Sequence, residues 1–210
     1  MIPHRTPFFL PYIYPSLTWR LTPSEKKLYL TFDDGPVPGP TDYVLNELSR
    51  RNAKATFFCI GDNVRKHPSL LRSIITAGHA IGNHTFNHLN GWRTADDLYL
   101  DNIRKCDEEI AQHTGNTSAL FRPPYGKIRF SQIRKLRSHK IIMWDVLTKD
   151  YDRTFNPSVI LQRSINASRY GSVVVLHDSM KADGNVRKVL SPFMDHFASL
   201  GYTFCAIPTS

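Results

Sequence analysis

Apolar positions along the chain switch repeatedly between a period of two and a helical period. Leu28-Tyr29-Leu30-Thr31-Phe32 is a short β-prone run that stops at Asp33-Asp34-Gly35-Pro36, so Lys27–Asp33 reads as a buried strand breaking into a turn. A helix follows the Pro36–Pro40 loop with Val44, Leu45 and Leu48 on one face, and Ala55–Ile60 is a second apolar strand. Pro68 opens a helix whose Leu70, Leu71, Ile74 and Ile75 recur at helical spacing, Gly78 closes it, and His79–Gly82 is a brief third strand. Thr94 and Asp97 resemble a capping pair before the stripe Tyr99, Ile103, Cys106 and Ile110, which ends at Gly115. A short strand ends at Phe121-Arg122, Phe130, Ile133 and Leu136 mark a helix, and Lys140–Val146 is a fifth strand. Asn156-Pro157 starts a helix, and Ser172–Leu176 is a strong β run into His177. Val186, Val189, Leu190, Phe193, Met194 and Phe197 form a helical face expected to kink or restart at Pro192, and Tyr202–Ile207 is the last strand.

Seven strands alternating with about six helices demand an α/β domain with a parallel sheet, doubly wound or closed as a barrel. No glycine-rich fingerprint follows the first strand, which counts against a dinucleotide fold. Polar residues gather at strand C-terminal ends, where both architectures place their sites.

Composition narrows the partners. The 210 residues carry a formal charge of +9, which suits an anionic surface or substrate. The Lys and Arg are scattered and no compact nucleic-acid signature is present, so nucleic acid is disfavoured. Cys59, Cys106 and Cys205 show no CxxC spacing and read as free thiols of a reducing compartment. Residues 1–26 form an arm punctuated by Pro3, Pro7, Pro11 and Pro15, ahead of a domain over 27–210. No apolar run in the arm is long enough to span a bilayer, and no export signal is written there, so a cytoplasmic location is expected. Phe8, Phe9, Tyr12, Tyr14 and Trp19 would suit a membrane surface, but packing on the barrel is the favoured reading.

Four clusters carry chemistry. Two adjacent carboxylates at a buried rim, Asp33 and Asp34, need a compensating cation, although Asp-Asp-Gly alone is a common turn. His84 and His88 stand four apart, one helical turn, at metal-ligand separation. With Asp34 they make a set of two imidazoles and one carboxylate with positions left for water. Arg122-Pro123-Pro124-Tyr125-Gly126 is a stiffened turn whose guanidinium can hold Asp33. His177, at a strand end beside such a metal, is a general-acid candidate.

Together, Thr31–Pro36, His84–His88, Arg122–Gly126 and Leu176-His177 occur in the order of the polysaccharide deacetylases, the nodulation-type carbohydrate esterase family four. The chain resembles that family from about Lys27 to Ile207. The resemblance implies an incomplete (β/α) barrel and metal-dependent removal of the N-acetyl group from an N-acetylglucosamine-type glycan or glycoconjugate. It implies that Asp34, His84 and His88 hold a divalent metal, by default zinc, with cobalt or nickel also fitting. Asp33 would be the base, oriented by Arg122, and the Tyr125 backbone N–H would meet the oxyanion. His177 would protonate the departing amine, and Leu176 would line the acetyl-methyl pocket.

One motif departs from the family's. Where the family has Asp-x-x-Asp-Trp after the fifth strand, this chain has Leu147-Thr148-Lys149-Asp150-Tyr151, which leaves Tyr151 to grip the sugar. In a continuing strand Asp145 would share a face with Leu147, so Asp145 is expected to orient His177, with Asp150 next in line. The departure motivates an alternative, a glycan-binding module that keeps the metal without turnover. A non-haem iron oxygenase would use the same ligand set but leaves Asp33, Arg122 and His177 without roles.

Overall fold

The computed structural model describes residues 4–23 and 25–209; the Pro3 of the arm lies outside them. The strands are β1 (Lys27–Asp33), β2 (Thr56–Cys59), β3 (Ala80–Asn83), β4 (Leu120–Phe121), β5 (Lys140–Ile141), β6 (Val146–Leu147), β7 (Val173–His177) and β8 (Thr203–Phe204). All pair in parallel in the order β5-β4-β3-β2-β1-β7-β6, with β8 beside the start of β1. The result is a sheet curled into an incomplete barrel. Among the described residues no helix is long and apolar enough to cross a membrane.

Side-chain parity sorts the strands' residues into two cores. Leu28, Leu30 and Phe32 of β1 join Val174 and Leu176 of β7 against the helices, among them α2 (Pro40–Arg50), α4 (Pro68–Thr76) and α8 (Asp183–Ser199). Tyr29 and Val173, of the opposite parity, meet Phe58, Leu120, Ile142 and Ile207 inside the barrel. Each fully buried Leu or Phe contributes about 1.5–3 kcal/mol relative to exposure, so a one-residue slip of β1 would forfeit both layers. Asp33 continues the inward parity, which delivers it to the barrel mouth.

The predicted fifth strand is in fact two. β5 pairs with β4 and β6 with β7, so these short strands are the two ends of the open sheet, joined by residues 142–145. The arm fills the gap. Thr18 bridges Ile142, Arg5 bridges Val146 and Arg20 bridges Ser172. Leu17 and Trp19 are buried with Tyr99, Phe121 and Met143. The arm also contains a short helix, α1 (Leu10–Ile13), from which Tyr12 faces outward, and Phe8 in the turn before it is exposed as well.

Three helical expectations are revised. A six-residue helix, α3 (Gly61–Lys66), precedes α4 without an apolar stripe long enough to betray it. α5 (Asp96–Thr114) has Ala95 at its N-cap, because the Thr94 hydroxyl donates to the Asn90 carbonyl rather than capping. α8 runs unbroken through Pro192, held by Val189, Leu190, Phe193 and Met194 in the core. Of the remaining helices, α6 (Phe130–Lys135) and α7 (Pro157–Ala167) lie where the pattern placed them.

Candidate functional site

Strand ends and the loops after them bring the predicted residues to one mouth of the barrel. Arg122 follows β4 and is fully buried, and four of the five N–H groups of its guanidinium donate within the fold. Nη1 donates to Asp33 Oδ1 and to Thr31 Oγ1, each at 2.7 Å, while Nε and Nη2 donate to the Ile142 and Met143 carbonyls. The Phe58 ring lies 4.1 Å beneath it. A guanidinium so fixed holds the Asp33 side chain in one orientation.

His84 and His88 do converge, but not on a helix. Thr85 and His88 adopt left-handed backbone, with φ of 63° and 57°, in a loop after β3. Side chains enforce that loop. Asn83 Oδ1 accepts from the Thr85 N–H at 2.7 Å, Asn102 Oδ1 accepts from the N–H groups of Phe86 and Asn87, and Thr85 Oγ1 accepts from the Leu89 N–H. Among the described residues, six non-glycines have positive φ, and five of them, Asp34, Thr85, His88, Tyr125 and Lys149, surround this site. Left-handed backbone costs about 1–2 kcal/mol per residue, so strain is concentrated where the chemistry is.

The donor atoms of Asp34, His84 and His88 lie within 4.8 Å of one another. His84 Nδ1 sits 2.7 Å from the Arg122 carbonyl, which only accepts, so Nδ1 carries the hydrogen and Nε2 presents a lone pair. Burial lowers the His84 pKa to about 4, keeping the ring neutral. Its Nε2 is 3.7 Å from Asp34 Oδ1, and that of His88 is 3.2 Å away. Asp34 Oδ1 is buried and accepts no hydrogen bond. A buried, unbonded carboxylate oxygen facing imidazole lone pairs is satisfied by a cation between them, and the residues fit a divalent metal.

The turn bearing Asp34 is clamped by a residue that sequence reasoning passed over. Asp178 Oδ1 accepts from the Gly35 N–H at 3.0 Å and Oδ2 from the Thr41 hydroxyl at 2.6 Å. Burial raises its pKa to about 7 against the lowering by Thr41. Asn63 donates to the Asp34 carbonyl at 2.7 Å.

His177 is held by Asp150, not by Asp145. Asp150 Oδ1 lies 2.7 Å from His177 Nδ1, and Oδ2 accepts from the His177 N–H at 2.7 Å. Burial lowers the imidazole pKa, but the charge and hydrogen bond of Asp150, with Asp34 and Asp33 beyond, overcome it and raise it to about 9. Asp145 falls in the bend between β5 and β6, so strand alternation does not apply to it. Its carboxylate accepts from Ser172 Oγ at 2.6 Å and meets Arg169 and Arg5, at the far end of β7. Five residues of strand, about 16 Å, separate Ser172 from His177.

Leu176 is likewise corrected. It points into the helix-facing core, one residue out of phase with His177. Val175, of the right parity, lines the cleft instead, paired in register with Leu147. The cleft, about 480 Å³, is walled by Asp33, Asp34, His84, His88 and His177 together with Tyr125, Trp144 and Tyr151, and Lys127 and Lys181 also line it. Tyr125 is 60% exposed with φ of 61°, and its hydroxyl lies 3.1 Å from His88 Nδ1. The Tyr151 ring stands edge-on to His177 at 5.0 Å. Trp144, Val175 and the two lysines were missed; stepping back two residues from His177 would have found Val175.

The family model for polysaccharide deacetylase matches residues 20–143. A Bacillus cereus peptidoglycan-N-acetylglucosamine deacetylase is 31% identical over 195 residues, covering 91% of each chain. A chitooligosaccharide deacetylase of Azorhizobium caulinodans is 34% identical, covering 78% of this chain and 79% of its own. The crystal structure of the Bc1960 peptidoglycan N-acetylglucosamine deacetylase superposes with a TM-score of 0.89 at 28% identity, covering 95% of both chains. Some relatives are longer: the chain spans 57% of a further Bacillus cereus deacetylase of the same name. On sequence and fold alike, this chain belongs to the polysaccharide deacetylase family.

Proposed function

We propose that the chain hydrolyses the N-acetyl group of an N-acetylated glycan using a divalent metal held by Asp34, His84 and His88. The observation that carries this reading is the unbonded Asp34 Oδ1 between two imidazoles, flanked by a carboxylate fixed on arginine and an imidazole fixed on carboxylate. An ion there, zinc by default, supplies Lewis acidity toward the acetyl carbonyl and toward water. Asp33, with Oδ1 committed to Arg122, accepts the water's proton. His177, with Nδ1 committed to Asp150, offers the proton on Nε2 to the departing amine. The Tyr125 backbone N–H is the proposed oxyanion donor. Leu147 and Val175 form the apolar floor for the acetyl methyl, while Tyr125, Trp144 and Tyr151 flank the sugar rings.

The test is acetate release from N-acetylglucosamine oligomers and peptidoglycan fragments, before and after chelation and metal restoration. Turnover that survives thorough metal removal would sink the metal assignment, and no acetate from any substrate would sink the deacetylase reading. The turnover-free binding module loses its motive, because Asp150 holds the imidazole that Leu147 cannot.

Asp150→Asn should lower the rate by about tenfold or more, as expected for a misoriented acid. His177 is protonated below about 9 in the parent; without the charge and hydrogen bond of Asp150 the two largest raising interactions go, leaving Asp34 and Asp33 against burial. The alkaline limb of the rate profile should therefore move to lower pH. Asp145→Asn should leave both rate and limb near parental values.

A further inference from the structure

The cleft holds more positive charge than its own chemistry uses. Asp33 is matched by Arg122, Asp150 by His177, and Asp34 belongs to the set proposed to hold a divalent cation. Lys127 and Lys181 also line the cleft. Among the described residues neither ammonium has a carboxylate within salt-bridge distance. Each instead lies over a ring, Lys127 over Trp92 at 5.5 Å and Lys181 over Tyr151 at 5.3 Å. A ring face attracts an ammonium but brings no net negative charge to neutralise it.

Both lysines are placed by structured loops. Lys127 follows the Pro123-Pro124 turn, with its N–H donating to the Pro124 carbonyl, and the Trp92 indole N–H donates to the next carbonyl, that of Ile128. Gly126, at φ of 65°, lets this turn approach the Trp144 ring, which a Cβ there would meet at 2.5 Å. Lys181 lies beyond β7, where Arg153 donates to the carbonyls of Met180 and Lys181. The β4 and β7 loops are separated in the sheet by β3, β2 and β1, so the two cations stand on opposite flanks of the metal-binding set. A glycan lying through the cleft would pass one on each side of the acetamido group under attack.

We propose that Lys127 and Lys181 make the cleft selective for acidic N-acetylated glycans, in which a sugar flanking the reacting residue carries a carboxylate or a phosphate. The inference rests on the deacetylase reading above. The lysines act as specificity residues: they meet an anionic substituent and attract the acidic chain, while the bond cleaved is the same.

The experiment compares kcat/KM on two pairs of tetrasaccharide probes, four compounds in all. One alternates N-acetylglucosamine and N-acetylmuramic acid with free lactyl carboxylates. The second is the same compound with those carboxylates converted to methylamides. The third is N-acetylchitotetraose carrying a 6-phosphate, compared with its unphosphorylated parent. The parent enzyme should prefer an acidic probe over its neutral counterpart by about tenfold at low salt, an advantage shrinking towards unity in 0.5 M salt as screening demands. Preference within the first pair identifies a carboxylate, and within the second a phosphate. Lys127→Met with Lys181→Met should bring the ratio close to one, and the corresponding double Arg variant should retain it. Hydrolysis of acidic and neutral probes at equal efficiency, or a preference that survives both Met substitutions, overturns the inference and leaves deacetylation standing. No acetate from any probe overturns both.

Discussion

Alanine at Asp34, His84 or His88 is expected to strip the divalent ion and turnover together. Three protein donors converge here, so the loss of one leaves two, too few for a catalytic site of this kind. The Lewis acidity forfeited amounts to several kcal/mol, about a thousandfold or more in rate. His88 is the most informative position, because its half-exposed ring can be removed without opening the core. His84 is buried and also anchors the Arg122 carbonyl, so His84→Ala carries a packing cost as well. The check is metal content per chain by elemental analysis beside the melting temperature with and without added zinc. Parent protein should gain stability on zinc addition, and His88→Ala should gain little. Full metal occupancy in all three variants would refute the ligand set.

Asp33→Asn should part these two readouts: metal retained, rate lowered by about two to four orders of magnitude, as for loss of a general base. The amide keeps the shape and can still accept from Arg122 Nη1, but it leaves the buried guanidinium without its counter-charge. Some loss of stability is therefore expected, and breaking a buried pair costs about 3–5 kcal/mol when one partner is removed outright. Comparing Asp33→Asn with Arg122→Met separates the two effects. Both should be destabilised, but only the former abolishes the proton acceptor itself. Near-parental turnover in Asp33→Asn would make Asp33 a structural partner of Arg122.

The parts of the site that the sequence displayed are those encoded by contiguous residues. Asp33-Asp34 at the end of β1, the His84–His88 spacing, the Arg122–Gly126 turn and His177 at the end of β7 needed no tertiary knowledge to be singled out. Where a pattern was extended by a rule of parity, the outcome depended on whether the backbone obeyed that rule. β7 is regular, so parity correctly applied selects Val175 over Leu176. The segment after β5 is not regular: it bends at Asp145, and only Val146 and Leu147 pair with β7. The orienting role therefore fell to Asp150, next to a left-handed Lys149 that turns the chain toward His177. The histidine pair was found for the wrong reason. A helical turn and a loop with two left-handed residues can both bring positions four apart together, and spacing does not distinguish them. Asp178, Asn83 and Asn102 act by holding loops, and nothing local marks an Asp or Asn whose partners come from distant parts of the chain.

The arm has a consequence for the two open ends of the sheet. Thr18 takes the Ile141 carbonyl and serves the Met143 N–H, while Thr6 and His4 occupy the Asp145 carbonyl and the Leu147 N–H. Remove the arm, and the two ends of the sheet would expose these groups beside an apolar cleft. Unpaired strand edges are templates for another chain to add a strand. A shortened protein beginning near Lys27 should therefore aggregate through edge-to-edge association even if its metal ligands remain in place. In that light residues 4–20 act as a tethered edge cap, occupying in cis a position that a neighbouring copy would otherwise fill.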